Sequence, residues 1–130
     1  MSKYVVDTHI LLRFMTGVKI SNHQINSIME KADQGENTIV IPSVVLFEIA
    51  YLNEKSRIPI TLEYVSDIIE NSINYVEEVV SKEIIKSAFE IKDIPELHVR
   101  LIAGTARYCG VPLLTNDSVI LKSKYVSCIQ

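Results

Sequence analysis

Tyr4-Val5-Val6-Asp7-Thr8-His9 is the stretch on which the fold turns. An apolar run, Tyr4–Val6, stops at an acid, and a helical pattern begins directly behind it. In alternating α/β proteins such a junction is the carboxyl end of a parallel strand, where ligands gather. The arrangement recurs: Glu48 lies just past Ile39-Val40-Ile41-Pro42, and Asp117 lies just past Leu113-Leu114-Thr115. Acids placed after three apolar strands can meet at one edge of a single sheet. Clustered carboxylates repel one another unless a cation neutralises them, so a divalent-metal site is the simplest expectation.

The rest of the chain alternates in the same way. Thr8–Met15 has apolar positions at Ile10, Leu11, Phe14 and Met15, which suits a short helix. Ser21-Asn22-His23-Gln24 has the form of a capping box, with Ile20 and Ile25 placed as a hydrophobic staple. The helix it opens runs to about Gly35. Thr38–Ile41 is β-branched and strand-like, and Ser43 after Pro42 suits the N-cap of the next helix. Beyond Pro59, Leu62–Asn71 reads as helical, and the first half of Ile73–Val80 as a strand. Ser81–Lys92 is amphipathic, with Ile84, Ile85, Ala88 and Ile91 on one side. Asp93-Ile94-Pro95 opens a further helix that Gly110 closes. Pro112–Thr115 reads as a short buried strand and Val126–Ile129 as a last edge strand. Strands alternating with helices predict parallel crossover units, hence an α/β class with a covered parallel sheet.

Size and composition narrow the field further. A chain of 130 residues suits one domain, spanning 1–130, and can bury roughly two-thirds of its unfolded surface. Hydrophobic residues make up 48% and charged residues 22%, which is globular rather than disordered. Asp7 and His9 interrupt the first apolar run, so it does not read as a signal peptide. No apolar stretch approaches the roughly 18 residues that span a bilayer. Two cysteines, Cys109 and Cys128, suit a reducing interior better than a disulfide framework. No membrane association is expected, and the chain reads as a soluble cytoplasmic protein. Thirteen Lys and Arg against sixteen Asp and Glu argue against broad electrostatic capture of nucleic acid. A nuclease stays open, because bound cations can supply local positive charge.

Each acid also has a plainer role to play. Asp7 suits the cap of the helix that follows it, and Asp117 suits a turn or cap before Ser118. Glu48 lies within the almost wholly apolar Val44–Leu52, where a charge needs a partner or a metal. Its plain alternative is an exposed stripe shared with Tyr51 or Lys55. Thr115 and Asn116 add uncharged oxygens beside Asp117.

Four blocks resemble the motifs of PIN-domain proteins, nearest to the VapC-like toxins of toxin–antitoxin pairs. They are Val5-Val6-Asp7-Thr8-His9-Ile10-Leu11-Leu12, Phe47-Glu48, Pro95-Glu96-Leu97-His98-Val99-Arg100-Leu101-Ile102-Ala103 and Leu113-Leu114-Thr115-Asn116-Asp117. The resemblance covers nearly the whole chain, in order and at family-like spacing. It implies a three-layer α/β/α sandwich around a central parallel sheet. It further implies a Mg²⁺- or Mn²⁺-dependent endoribonuclease, dimeric and held inactive by a small antitoxin. On this reading Asp7, Glu48 and Asp117 hold the metal, and Thr115 orients a water or a metal-bound oxygen. Asn116 and Arg100 are candidate RNA contacts.

One position departs from the pattern. Where the family carries a third acid, two residues after Leu97, this chain has Val99. A valine holds no cation, so activity is expected to be impaired. Glu96, three residues earlier on roughly the same helix face, is a candidate substitute ligand. It equally suits a first-turn charge that complements the helix dipole. His98 could face RNA or the site, or serve as a surface or packing histidine. The competing function is a catalytically degenerate PIN-fold binding protein. A receiver-like phosphoacceptor or an Asp-x-Asp phosphohydrolase fits less well, because Thr8 and His9 follow Asp7 where a second acid would be needed.

Overall fold

The computed structural model describes residues 2–129. The chain runs β1 (Ser2–Val6), α1 (Thr8–Met15), α2 (His23–Asp33), β2 (Asn37–Pro42), α3 (Ser43–Glu54), α4 (Leu62–Glu70) and β3 (Tyr75–Glu78). It continues with α5 (Lys82–Glu90), α6 (Leu97–Cys109), β4 (Leu113–Leu114) and α7 (Ser118–Leu121). The four strands form one parallel sheet in the order β3-β2-β1-β4. Val5, Val6, Ile39, Ile41, Leu113 and Leu114 are fully buried. Such continuous apolar strands are what a sheet covered on both faces requires.

The order of the strands positions the site. From β1 the chain steps to β2 and on to β3, then returns across the sheet to place β4 on the other side of β1. Right-handed crossovers in opposite directions put the connecting helices on opposite faces, giving the expected α/β/α sandwich. Between β1 and β4 the direction of winding reverses, which opens a crevice at their carboxyl ends. Asp7 leaves β1 there, and its N–H donates to Leu114 O at 3.2 Å.

α5 and α6 pack against each other through small residues. A Cβ on Gly104 would stand 2.7 Å from Ala88 Cα, so only glycine lets the two helices approach this closely. Gly110 ends α6 in the left-handed conformation, φ 68°, as expected of a C-terminal stop.

Several boundaries differ from the sequence expectation, each for a local reason. The cap of α2 is Asn22, which accepts from Ile25 N–H at 3.0 Å, not Ser21. Ile20 and Ile25 are nevertheless both buried. Ser43 does not cap α3; Pro42 occupies that position, and Ser43 Oγ instead accepts from Val80 N–H at 2.9 Å, tying α3 to the end of β3. β3 starts at Tyr75, later than expected, because Ser72 and Asn74 hydrogen-bond to each other in the preceding turn. On α5, Ile84 and Ala88 are buried, as is Ile91 just beyond it, but Ile85 is exposed. α6 begins at Leu97, not at Asp93, whose carboxylate accepts from Ser123 Oγ and Lys124 N–H instead. The 126–129 segment forms no strand, only an isolated parallel bridge between Leu113 and Cys128. Its partner β4 is two residues long, and only Leu113 of it pairs on this side.

Candidate active site

Asp7 combines two jobs at the end of β1. As N-cap of α1, its Oδ1 accepts from Ile10 N–H at 2.9 Å. Its Oδ2 accepts a short hydrogen bond from the Thr115 hydroxyl. The residue is only 6% exposed, and burial pushes its carboxyl above the usual range. The bonds from Thr115 and Ile10 and the nearby His9 oppose that shift, while the charge of Asp117 adds to it.

Thr115, itself buried, links the acids. Besides donating to Asp7, its oxygen accepts from Asp117 N–H at 2.9 Å. Asp117 then caps α7, its Oδ1 accepting from Val119 and Ile120 N–H at 2.9 and 3.1 Å. Glu48 arrives from α3 with 26% of its side chain exposed. Its Oε1 accepts from the Thr8 hydroxyl at 2.5 Å. The plain alternative of an exposed stripe shared with Tyr51 or Lys55 is not what the structure has, because Glu48 is partly buried against Thr8.

The three acids line one cleft of about 130 Å³, together with Thr8, His9, Val99, Ile102 and Ile120. A larger cavity beside Asn53, Ser56, Arg57, Ile58 and Pro59 contains no acid. Val99 thus stands in the wall of the acid cleft, where the resemblance places the family's further carboxylate. Thr8 and His9 were not singled out as cleft residues from sequence. Their adjacency to Asp7 was the available signal, since the first turn of α1 necessarily lies beside its own cap.

The remaining candidates lie at the rim or outside. Glu96 does not line the cleft; it caps α6, with Oε2 accepting from Val99 N–H at 2.7 Å. That bond spends on the helix terminus the carboxylate expected to replace the missing acid. His98 is half exposed, its Nδ1 4.0 Å from Glu48 Oε2 and 3.8 Å from Glu96 Oε1, and edge-on to Phe47. Arg100 folds back to donate to Ile94 O at 2.7 Å and Pro95 O at 3.2 Å, with its guanidinium over the Phe89 ring. Asn116 is exposed, beside Asp117.

The donor set suits a hard divalent cation: carboxylate oxygens from Asp7, Glu48 and Asp117, with no lysine or arginine among the described residues that line the cleft. Among the described residues no three of His, Cys, Asp and Glu gather tightly enough to enclose an ion. The chemistry of the donor set fits a hard divalent cation.

Comparison with curated protein sequences found no match. Two of the solved structures that share the fold illustrate the likeness. One is the crystal structure of VapBC2 from Rickettsia felis bound to a DNA fragment from its promoter, with TM-score 0.69 and 19% identity, covering 98% of this chain and 97% of that one. The other is a toxin–antitoxin complex from Klebsiella pneumoniae, with TM-score 0.64 and 13% identity, covering 98% and 96%. At those identities the likeness establishes the architecture. The PIN domain model matches residues 4–124, nearly the whole chain, and includes all three cleft acids. The chain belongs to the PIN domain family.

Proposed function

We propose that this protein is a Mg²⁺- or Mn²⁺-dependent endoribonuclease, the VapC-like toxin of a toxin–antitoxin pair, with activity reduced by Val99. The observation that carries this reading is the meeting of Asp7, Glu48 and Asp117 in one cleft at the sheet's winding reversal. PIN domains are generally nucleases that use divalent metals.

Asp7, Glu48 and Asp117 would hold the cation. When bound, it would neutralise their charge, polarise the scissile phosphate and lower the pKa of an attacking water. The chain's own residues set the frame for that chemistry. The Thr115 hydroxyl donates to Asp7 Oδ2 and accepts from the Asp117 backbone N–H, so one side chain ties together two acids from different elements. Val99, Ile102 and Ile120 form the apolar part of the cleft lining beside the carboxylates. Asn116, exposed next to Asp117, is the better placed of the two RNA-contact candidates; Arg100 is tied to backbone carbonyls. With Val99 in place of an acid, the cleft offers three negative charges, which weakens a second cation more than a first.

The partners proposed are RNA, a second copy of the chain and a small antitoxin, with the protein acting in the cytoplasm. Exposed Phe47 and Tyr51 on α3 and Leu62 and Tyr64 on α4 are the apolar surfaces offered to the protein partners. Among the described residues no helix is long and apolar enough to cross a membrane.

A second reading is a PIN-fold binding protein that no longer cleaves. Val99 in the cleft wall favours it. The deciding experiment is RNA cleavage by the purified protein with Mn²⁺ or Mg²⁺, beside its Asp7→Asn and Val99→Asp variants. Cleavage that Asp7→Asn abolishes supports the nuclease. Cleavage by Val99→Asp alone would mean that this sequence has switched the site off. Silence from both, with antitoxin absent, would establish the binding protein.

A further inference from the structure

Glu48 is the one cleft acid that lies inside a helix, whereas Asp7 and Asp117 are helix N-caps. Asp7 directly follows β1 and Asp117 lies three residues past β4, and the Thr115 hydroxyl bonds to both residues, which ties their positions together. Glu48 comes instead from within α3, whose N-cap is Pro42, without a side-chain cap hydrogen bond. Placing a long, partly exposed glutamate against the other two therefore needs a separate device.

Thr8 has the geometry for it. Its hydroxyl donates to Glu48 Oε1 at 2.5 Å, a bond that joins residues 40 apart in sequence. Thr8 is also the first residue of α1, immediately after Asp7, whose carboxylate caps that helix through Ile10 N–H. The junction is rigid, so a group fixed to Thr8 is fixed relative to Asp7. A carboxylate has about four lone-pair sites across two oxygens. The Thr8 bond occupies one of these on Oε1 and restricts the orientation of Oε2. The outward alternative is close at hand, since Oε2 already lies 4.0 Å from His98 Nδ1 at the rim.

We infer that Thr8 is a positioning residue that aligns Glu48 with Asp7 for the incoming cation. The inference rests on the reading of Asp7, Glu48 and Asp117 as the cation-holding set. Groups that orient metal ligands by hydrogen bonding typically affect metal affinity by roughly 10- to 100-fold. Because Glu48 keeps some access to solvent, the lower end is expected here.

The test is Mn²⁺ binding by isothermal titration calorimetry on the full chain, with thermal melting of each variant. Thr8→Val keeps the branched shape and removes only the donor. It should bind Mn²⁺ about tenfold more weakly than the native protein at an unchanged Tm, and Thr8→Ser should restore binding. On a Glu48→Gln background, Thr8→Val should add nothing, because its route of action is already gone. Native-like affinity in Thr8→Val overturns the inference. So does failure of Thr8→Ser to restore binding, or a full additional loss in the double variant. Asp7→Asn separates the two levels of argument. If it leaves Mn²⁺ binding unchanged, the cation-holding set itself is wrong and the role of Thr8 falls with it. If Asp7→Asn weakens binding and Thr8→Val does not, only the positioning role fails. Should Thr8→Val not fold, the comparison of Thr8→Ser with Thr8→Ala carries the same contrast.

Discussion

Asp7 and Glu96 perform the same local task in very different surroundings. Each is an acid at a helix N-cap, and each accepts from the backbone N–H three residues on, Ile10 in one case and Val99 in the other. Asp7 is nearly buried at the end of β1, tied to Thr115 and close to Asp117. Glu96 stands at the surface, its side chain 57% exposed, on a helix that follows a loop. Capping therefore says little about function, since it satisfies orphan N–H groups wherever a helix begins. What separates the two is convergence. Asp7 meets acids from other elements in one cleft, whereas the Glu96 carboxylate meets His98 and solvent.

The largest expected effect breaks the comparison from the Asp7 side. Asp7→Asn retains a capping oxygen but loses the charge, so RNA cleavage in Mn²⁺ should fall by about 100-fold or more. Circular dichroism should remain native. A loss of less than about threefold would put Asp7 in the same class as Glu96, a cap and nothing more. Next, Val99→Asp restores an acid to the cleft wall and should raise cleavage by roughly tenfold, read in the same assay. An unchanged rate would mean that three acids already suffice.

The third prediction concerns pH. Burial raises the Asp7 carboxyl pKa in the folded state above 3.8. The folded protein then holds that proton more tightly than the unfolded chain, so folding loses stability as pH rises through the folded pKa. Melting curves without metal should show native protein less stable than Asp7→Asn near neutral pH, with the gap closing below 3.8. A gap independent of pH would remove burial as the cause. Asp93 supplies the opposite sign. Its pKa is lowered chiefly by the Lys124 backbone N–H, so its contribution is present above 3.8 and lost as pH falls through the lowered value.

The smallest effect sharpens the comparison from the other side. Glu96→Ala removes the α6 cap and should cost about 1 kcal/mol or less of stability by thermal denaturation. Cleavage per folded molecule should stay within about twofold of native. A drop as large as that of Asp7→Asn would return Glu96 to the site as a substitute ligand, and the distinction between cap and cleft acid would collapse.

By itself the sequence determined the class of the fold and the positions of the three acids. Apolar strands that stop at an acid, as at Val6-Asp7, carry both signals together, because a buried parallel strand needs continuous hydrophobic residues and exposes only its end. Gly110 and the apolar periodicity of the helices were legible for similar reasons, being local properties of the backbone. Hydrogen-bond partners were not. Whether Ser43 caps its helix or holds Val80, and whether Asn22 or Ser21 caps α2, depends on which donors the packed chain brings near. Glu96 illustrates the limit within the site, since its spacing from Val99 suited both a ligand and a cap. Only the tertiary structure decided that its carboxylate turns to Val99 N–H, while Glu48 turns inward to Thr8. Contacts across 40 residues are set by how the elements stack, and no window of sequence contains that information.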